Sequence, residues 1–215
     1  MRETDPSPNV PDVEPREDDA LLVIDVQRDF CAGGALAVPD GDAVVPVANA
    51  LMARFPAVVL TQDFPPAGHA SFASEHPGRD PFDVVTLPYG EQTLWPDHCV
   101  QDTPGADFHP GLATDRAQLV VRKGFRRAID SYSAFRENDR ETTTGLAGWL
   151  RERGVRRVVI VGLALDFCVR YSAEDARAEG FEALVLESGC RGIDMGGSVA
   201  AAREALAGAG VRLGP

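Results

Sequence analysis

Residues 156–168 of the 215-residue chain read RRVVIVGLALDFC, and this stretch decides the predicted fold. Its apolar, β-branched first half predicts a strand over 156–162 that is buried on both faces. The strand breaks at Gly162, and a helical pattern follows over 167–179. A buried strand that leads directly into a helix is the opening half of a strand–helix–strand unit.

The same alternation continues outward in both directions from this stretch. Further apolar runs predict strands at 20–25, 57–61, 118–122 and 183–187, with a short sixth strand at 211–213. Helical patterns predict helices at 42–54, 144–153 and 196–208. Such alternation implies right-handed connections and parallel strands. We therefore predict an α/β fold with a doubly wound, mainly parallel six-stranded sheet and helices on both faces, in a Rossmann-like three-layer arrangement.

The first 18 residues differ in composition from the rest of the chain. They read MRETDPSPNVPDVEPRED, which is acidic and rich in proline, so we expect a disordered lead over 1–18. Residues 19–215 suit a single domain. The lead has neither the basic start nor the apolar middle of a signal peptide, and no apolar run approaches the ~20 residues of a membrane helix. We therefore expect a cytoplasmic protein.

The overall charge limits the class of partner. A formal net charge of -12 argues against nucleic acid and anionic membrane surfaces, because both bind basic patches. A small-molecule substrate agrees better with this charge. The cysteines lie far apart and form no CxxC pair, so neither a disulfide framework nor a zinc finger is expected; they are Cys31, Cys99, Cys168 and Cys190.

Chemically useful side chains follow the predicted strands at the points where these end. Asp25 ends the first strand, Asp63 follows the second, Lys123 ends the third and Cys168 comes just after the fourth. Ligands of such folds bind beyond the carboxyl ends of the strands, so we expect these four side chains on one rim of the sheet. The long segment 63–117 is predicted to be an irregular excursion over that rim.

Cys168 is a candidate nucleophile because it lies at the predicted start of a helix. A thiol in the first turn feels the positive end of the helix dipole, which favours the thiolate. The alternative is a small buried apolar side chain, as most free cysteines are.

Asp25 and Lys123 are candidate partners of this thiol. Asp25 ends an apolar strand, and burial suits its carboxylate to take a proton from a thiol; the alternative is a turn-capping aspartate. Lys123 is the only lysine in a chain that otherwise uses arginine, and its charge favours thiolate. Its alternative is a solvated lysine at a strand end.

At the level of motifs the chain resembles a known family. The segments that carry the resemblance are LLVIDVQRDFCAGGALAVPDGD, TQDF, HASFAS, WPDHCVQDTPGADFHPGL, RKGFRRAIDSYSAF, GLALDFCVRYSAEDA and GCRGID. Their order and spacing are similar to those of the nicotinamidase/pyrazinamidase group of the isochorismatase-like cysteine hydrolases, over residues 20 to 210. The resemblance implies an isochorismatase-like fold and a cysteine-dependent amidase that acts on linear amides.

The resemblance also implies roles for individual residues. Asp25, Lys123 and Cys168 match the catalytic triad, and the backbone N–H groups of Ala164 and Cys168 match the oxyanion hole, beside a cis peptide bond between Leu163 and Ala164. The implied reaction converts a heteroaromatic carboxamide, nicotinamide or a derivative, to the acid and ammonia through a thioester. The aromatic substrate pocket of the family corresponds here to Phe30, Trp95 and Tyr132, for which core packing is the alternative.

The metal site of the family is incomplete in this sequence. Asp63, His69 and His98 match its ligands, but Pro65 stands where a histidine is usual. Proline offers no side-chain ligand, so we expect at most a weakened site for zinc, iron or manganese. No organic cofactor is implied.

Two further departures lie near the expected substrate pocket. Arg28 replaces a usual asparagine and Leu165 a usual threonine. Because a guanidinium can hold a carboxylate, Arg28 as a substrate-binding residue suggests an acidic carboxamide and a specialised biosynthetic pathway. The alternative is an Arg28 that points into solvent or pairs with an acidic neighbour.

Other functions remain open at this point. One is an isochorismatase-like cleavage of a vinyl ether or hydrolysis of a ureido or carbamoyl substrate. Another is a non-catalytic binding homologue that kept the fold. The superfamily also makes a homo-oligomer plausible, although the sequence does not decide this.

Overall fold

The computed structural model describes residues 11–215 and contains eight strands in that range. In chain order they are β1 (Asp19–Ile24), β2 (Ala57–Asp63), β3 (Val84–Leu87), β4 (Gly90–Thr93), β5 (Leu119–Lys123), β6 (Arg157–Leu163), β7 (Glu182–Arg191) and β8 (Arg212–Gly214). Six of them form one sheet in the order β5-β2-β1-β6-β7-β8, with every neighbouring pair parallel. The predicted parallel six-stranded α/β fold is confirmed.

Helices connect most of the strands. The α-helices are α1 (Val44–Met52), α2 (Leu146–Glu152), α3 (Arg170–Ala178) and α4 (Ser198–Gly208). A π-helix over Leu165–Val169 runs directly into α3. The central strands β1, β2 and β6 are buried at every position, as expected for strands that are covered on both faces.

Two elements differ from the sequence prediction. Strand β7 continues to Arg191, beyond the predicted end at 187, because it pairs with β6 again after an irregularity between Ile160 and Gly162. The excursion over 63–117 includes an antiparallel hairpin of β3 and β4, where an irregular loop was predicted. Alternate residues of β3 are exposed, so this short hairpin lacks the apolar run that marks the core strands.

The N-terminal region is described only in part. Residues 1–10 of the predicted disordered lead lie outside the described residues. Residues 11–18 contain no helix or strand, but Val13 is buried and its carbonyl accepts a hydrogen bond from Arg54 Nη2 at 2.6 Å. Arg157 Nη2 donates to the carbonyl of Glu14 at 3.2 Å. Packing against the domain therefore begins before residue 19, which the composition of the lead did not predict.

The centre of the sheet leaves no room for a side chain at Gly162. This residue pairs with Ile24 across β1 and β6 and has a φ of +121°. A Cβ atom there would lie 2.1 Å from the carbonyl oxygen of Ile24. Glycine thus lets β6 approach β1 closely, next to Asp25, where both strands end at the same rim.

Within residues 11–215, no helix combines the length and the apolar character that crossing a membrane requires.

Candidate active site

The ammonium group of Lys123 lies at the centre of the rim. Its side chain is fully buried, and Nζ lies 2.8 Å from Asp25 Oδ2, 3.3 Å from Asp63 Oδ1 and 3.4 Å from Cys168 Sγ. It also donates to the carbonyl of Ser131 at 2.9 Å. Burial disfavours the charge, but the two carboxylates outweigh it and raise the pKa of Lys123 well above its usual value. The lone lysine is therefore a buried cation that joins three candidate residues.

Asp25 is held rigidly at the end of β1. Its Oδ1 accepts a 2.6 Å hydrogen bond from the hydroxyl of Thr61, whose oxygen accepts the backbone N–H of Asp25 at 3.0 Å. Its φ of +47° is unusual for a residue other than glycine, so tertiary contacts fix the conformation. Burial raises the pKa of Asp25, while the nearby Lys123 lowers it. The carboxyl group is thereby tuned toward accepting a proton.

Cys168 occupies the first turn of the π-helix that follows β6, as the sequence predicts for a helix start. Burial raises the pKa of the Cys168 thiol well above its usual value, against the lowering effect of Lys123, and the carboxylates of Asp25 and Asp63 raise it further. Burial therefore opposes ionisation of the sulfur, which is the opposite of the effect expected from the helix dipole.

A narrow cavity opens onto this thiol. It leaves about 20 Å³ for a water-sized molecule, and the predicted pocket residues Phe30, Trp95 and Tyr132 all line it together with Ala164 and Cys168. Trp95 Nε1 donates to Tyr132 Oη at 3.2 Å, which fixes the two rings edge to face. The peptide bond between Leu163 and Ala164 is cis. The structure therefore brings the triad, the Ala164 backbone and the aromatic residues to one place.

Arg28 is not among the residues that line this cavity. Its side chain is exposed and borders a separate open cavity with Cys31 and His109. In this structure Arg28 therefore lies outside the cavity at the thiol, and its role in substrate binding stays a prediction. Leu165 is buried and likewise absent from the lining.

The predicted metal ligands do not converge. Within residues 11–215, Asp63, His69 and His98 do not bring their ligand atoms within 4.8 Å of one another as a group. Asp63 Oδ2 and His98 Nε2 are 3.2 Å apart, but the His69 ring faces the loop after β5, where Nε2 is 3.0 Å from the Arg126 carbonyl. The three residues are therefore not assembled as a group in this structure, and their binding of a metal stays a prediction.

The pKa values of Asp63 and His98 favour an ion pair between these two side chains. Burial opposes the charge of Asp63, but Lys123 and His98 lower its pKa to about 2. Burial also opposes the charge of His98, while the hydrogen bond to Asp63 raises the pKa of this imidazole. Each group thus stabilises the charged form of the other.

A different trio of ligand types does assemble. In the part of the chain that the structure describes, Cys31, Asp42 and His109 are the group whose ligand atoms all lie within 4.8 Å of one another. His109 Nε2 lies 3.2 Å from Asp42 Oδ1, and its Nδ1 accepts the N–H of Gly111 at 3.1 Å. Burial, helped by Asp42, raises the pKa of Cys31 to about 11. Sequence spacing did not indicate this cluster, which borders the open cavity beside Arg28.

Several residues of the site were missed from the sequence. Thr61 is a polar residue within the apolar run of β2, a signal that could have identified it as the neighbour of Asp25. Phe167 precedes the thiol and packs edge to face on Trp95 at 4.9 Å between ring centroids. Asp130 also lines the cavity and accepts a 2.6 Å hydrogen bond from Gln92 Nε2. These two gave no sequence signal beyond their proximity to identified motifs.

Comparison with known proteins agrees with this geometry. The family model for the isochorismatase domain matches residues 19–213. The chain is 52% identical over 193 residues to a nicotinamidase of Acinetobacter baylyi, covering 90% of each protein. Among solved structures it is similar to a nicotinamidase/pyrazinamidase of Acinetobacter baumanii, with a TM-score of 0.91, 50% identity and coverage of 92% of this chain and 96% of the other.

A second solved structure is relevant to the metal. The pyrazinamidase of Pyrococcus horikoshii in complex with zinc has a TM-score of 0.74 and 36% identity, covering 91% of this chain and 98% of the other. The match over nearly the whole chain, together with the high identity to nicotinamidases, is decisive for classification. The chain belongs to the isochorismatase family and, within it, to the nicotinamidase group of amidases.

Proposed function

We propose that this protein hydrolyses nicotinamide to nicotinic acid and ammonia, with Cys168 as nucleophile. The observation that carries the proposal is the contact of Lys123 Nζ with Asp25 Oδ2 at 2.8 Å and with Cys168 Sγ at 3.4 Å, at the base of an aromatic cavity. The relatedness to nicotinamidases supports the same substrate.

The first step is proton transfer from the thiol to Asp25. Both groups have raised pKa values because both are buried, so the neutral thiol and the carboxylate exchange a proton over a short distance. Lys123 then stabilises the thiolate through its charge. Sulfur attacks the carboxamide carbon, and the developing oxyanion is positioned for the N–H groups of Ala164 and Cys168.

The second step releases ammonia. Asp25 returns its proton to the amide nitrogen as the C–N bond breaks, leaving a thioester on Cys168. A water molecule then gives a proton to Asp25 and attacks the thioester carbon, and the regenerated thiolate takes that proton back as nicotinic acid departs. Each proton that Asp25 accepts is thus returned within one turnover.

The lining of the cavity suits a flat, uncharged ring. Trp95 packs edge to face on Phe167 and Tyr132, and these aromatic rings line the cavity together with Cys168. Because Arg28 lies outside this lining, nothing in its position favours an acidic carboxamide. Cleavage of a vinyl ether does not require a cysteine nucleophile. The placement of Cys168 beside Lys123 and Asp25 therefore favours amide hydrolysis.

The test is replacement of the nucleophile. Cys168→Ala is expected to lower nicotinamide hydrolysis by on the order of 10⁴-fold or more, because the remaining groups cannot form the thioester. Ammonia release measures the rate, and Cys31→Ser is the matched control because that thiol lies on a different cavity. Wild-type activity that survives in Cys168→Ala would refute the proposal, as would a wild type that releases no ammonia from nicotinamide.

A further inference from the structure

The environment of Asp63 and His98 does not fit a divalent metal ion. We infer that this enzyme leaves the Asp63 position without a metal and fills it with an internal Asp63–His98 pair, so that protein groups alone orient the substrate. The statement about substrate rests on the proposed function, whereas the statement about metal rests on the residues themselves. Three observations carry it.

The first observation is that the donor atoms are already engaged. Asp63 Oδ1 lies 3.3 Å from the Lys123 ammonium and Oδ2 lies 3.2 Å from His98 Nε2. His98 Nδ1 is 2.7 Å from the carbonyl oxygen of Pro96, so Nε2 is the ring nitrogen that faces Asp63. An ion at this place would have to replace the contact of Nε2 with Asp63 Oδ2 and compete with the Lys123 ammonium for the same carboxylate.

The second observation concerns the other histidine. His69 Nδ1 lies 2.8 Å from the hydroxyl of Ser71, and Nε2 lies between the carbonyl oxygens of Arg126 and Ile129 at 3.0 and 3.2 Å. Phe72 packs against both His69 and His98, with ring centroids 5.6 and 5.7 Å away. His69 is thus a structural residue that anchors the loop after β5.

The third observation is the place of Pro65. The backbone pairing of β2 with β5 continues past Asp63, since the N–H of Phe64 donates to the carbonyl of Lys123 at 2.9 Å. Alternate residues of an extended chain point to the same side, so residue 65 shares the side of Asp63. Pro65 is buried there, and its carbonyl accepts the N–H of Gln101 at 2.9 Å. The position best placed for a further ligand therefore holds a side chain without a donor atom.

Aromatic rings enclose the pair. The His98 ring lies 5.4 Å from Phe30, 5.7 Å from Phe72 and 6.5 Å from Trp95 between centroids. Aromatic rings thus pack around the imidazole that contacts Asp63. The pair therefore forms part of the cavity wall, since Phe30, Asp63, Trp95 and His98 all line the cavity.

The experiment restores the missing ligand. Full-length wild type, Pro65→His and the matched control Pro66→His are stripped with chelator, equilibrated with zinc and desalted. Bound zinc is measured by elemental analysis and zinc affinity by calorimetry. Pro65→His is expected to bind zinc about 100-fold more tightly than the wild type, since loss of even a supporting contact to a ligand costs up to about that factor. Residue 66 is on the opposite side of the extended chain from Asp63, so the zinc affinity of Pro66→His should match that of the wild type.

Two further variants locate any zinc that the wild type holds. Zinc that is lost in His98→Ala overturns the inference, whereas zinc retained in His98→Ala and lost in His109→Ala lies at the Cys31 cluster and supports it. Equal affinities of wild type and Pro65→His also overturn it.

Activity separates this inference from the proposed function. Nicotinamide hydrolysis by the stripped wild type should equal that of the untreated protein. Activity that vanishes on stripping and returns with zinc overturns the metal-free site while leaving the proposed reaction intact. Absence of hydrolysis in every state refutes the proposed reaction, and the zinc measurements still decide the state of Asp63.

Discussion

Lys123 and Asp25 form a fully buried ion pair, with Nζ and Oδ2 2.8 Å apart at the ends of two strands that do not pair directly. Strand β2 lies between β1 and β5 and contributes Thr61 and Asp63 to the same charged cluster. The cluster therefore depends on three strands ending at one level. A change to any of its members is expected to alter both catalysis and the protonation of the others.

Replacing Lys123 tests the role of its charge. Lys123→Met is expected to lower kcat/KM for nicotinamide on the order of 100- to 1,000-fold, because the thiolate loses its buried counter-charge. Lys123→Arg keeps the charge but not the compact shape, so we expect it to remain impaired. Steady-state kinetics, with thermal unfolding to verify folding, measure both. Activity of Lys123→Met within a few-fold of the wild type would contradict the assignment.

Thr61 should set the acid limb of the pH profile. Its hydroxyl donates to the Asp25 carboxylate and so lowers the pKa of Asp25. Thr61→Val removes that donor, so the pKa of Asp25 rises further and the acid limb of kcat/KM moves to higher pH. Thr86→Val on the exposed side of β3 is the control and should leave the profile unchanged. An acid limb that stays in place or moves to lower pH would show that Asp25 is not the proton acceptor.

The buried pair of Asp19 and Arg157 is expected to carry stability rather than activity. Arg157 Nε lies 2.7 Å from Asp19 Oδ1, and both residues are buried where β1 and β6 begin. Arg157→Ala leaves the buried carboxylate of Asp19 without its partner and should lower the free energy of unfolding by about 3–5 kcal/mol. Arg203→Ala, which breaks the exposed pair with Glu187, should cost about 0–1 kcal/mol. Urea unfolding compares the two, and equal losses would contradict this account.

Gly162 should be intolerant of any side chain. A methyl group there would lie 2.1 Å from the Ile24 carbonyl oxygen, and the φ of +121° is strained for alanine. Gly162→Ala is expected to cost about 3 kcal/mol or more of unfolding free energy. Gly148→Ala in α2 meets no atom within 4 Å and should stabilise the protein by about 0.5–1 kcal/mol. Soluble yield and denaturant midpoints measure both, and a well-folded Gly162→Ala would refute the close approach.

The sequence predicted the strand ends better than the directions of the side chains. Asp25, Lys123 and Cys168 could be placed on one rim because parallel strands end at the same edge of a sheet. Arg28 could not be placed, since its motif gives a position along the chain and not the turn that follows β1. The same limit applies to His69, whose ring is fixed by carbonyl groups from a loop about 60 residues away in sequence.

The environment of the thiol could not be predicted from the sequence either. The helix start at Cys168 predicted a lowered pKa, but burial raises the pKa of this thiol. Burial depends on the aromatic residues and the loop that close over the rim, and these come from distant parts of the chain. Pro65 was the exception, because a missing donor atom is visible in the sequence itself.

The chain contains a single lysine, and the ammonium group of that lysine is buried. A reagent or a protease that acts on lysine therefore reports on this one position. A protease that cleaves after lysine has one target, the peptide bond between Lys123 and Gly124. Cleavage there separates β1 and β2 from β6, β7 and β8. Such cleavage requires the cluster to open, so its rate follows the population of molecules in which the catalytic rim has come apart. The two fragments on a gel would then measure the opening of the active site directly.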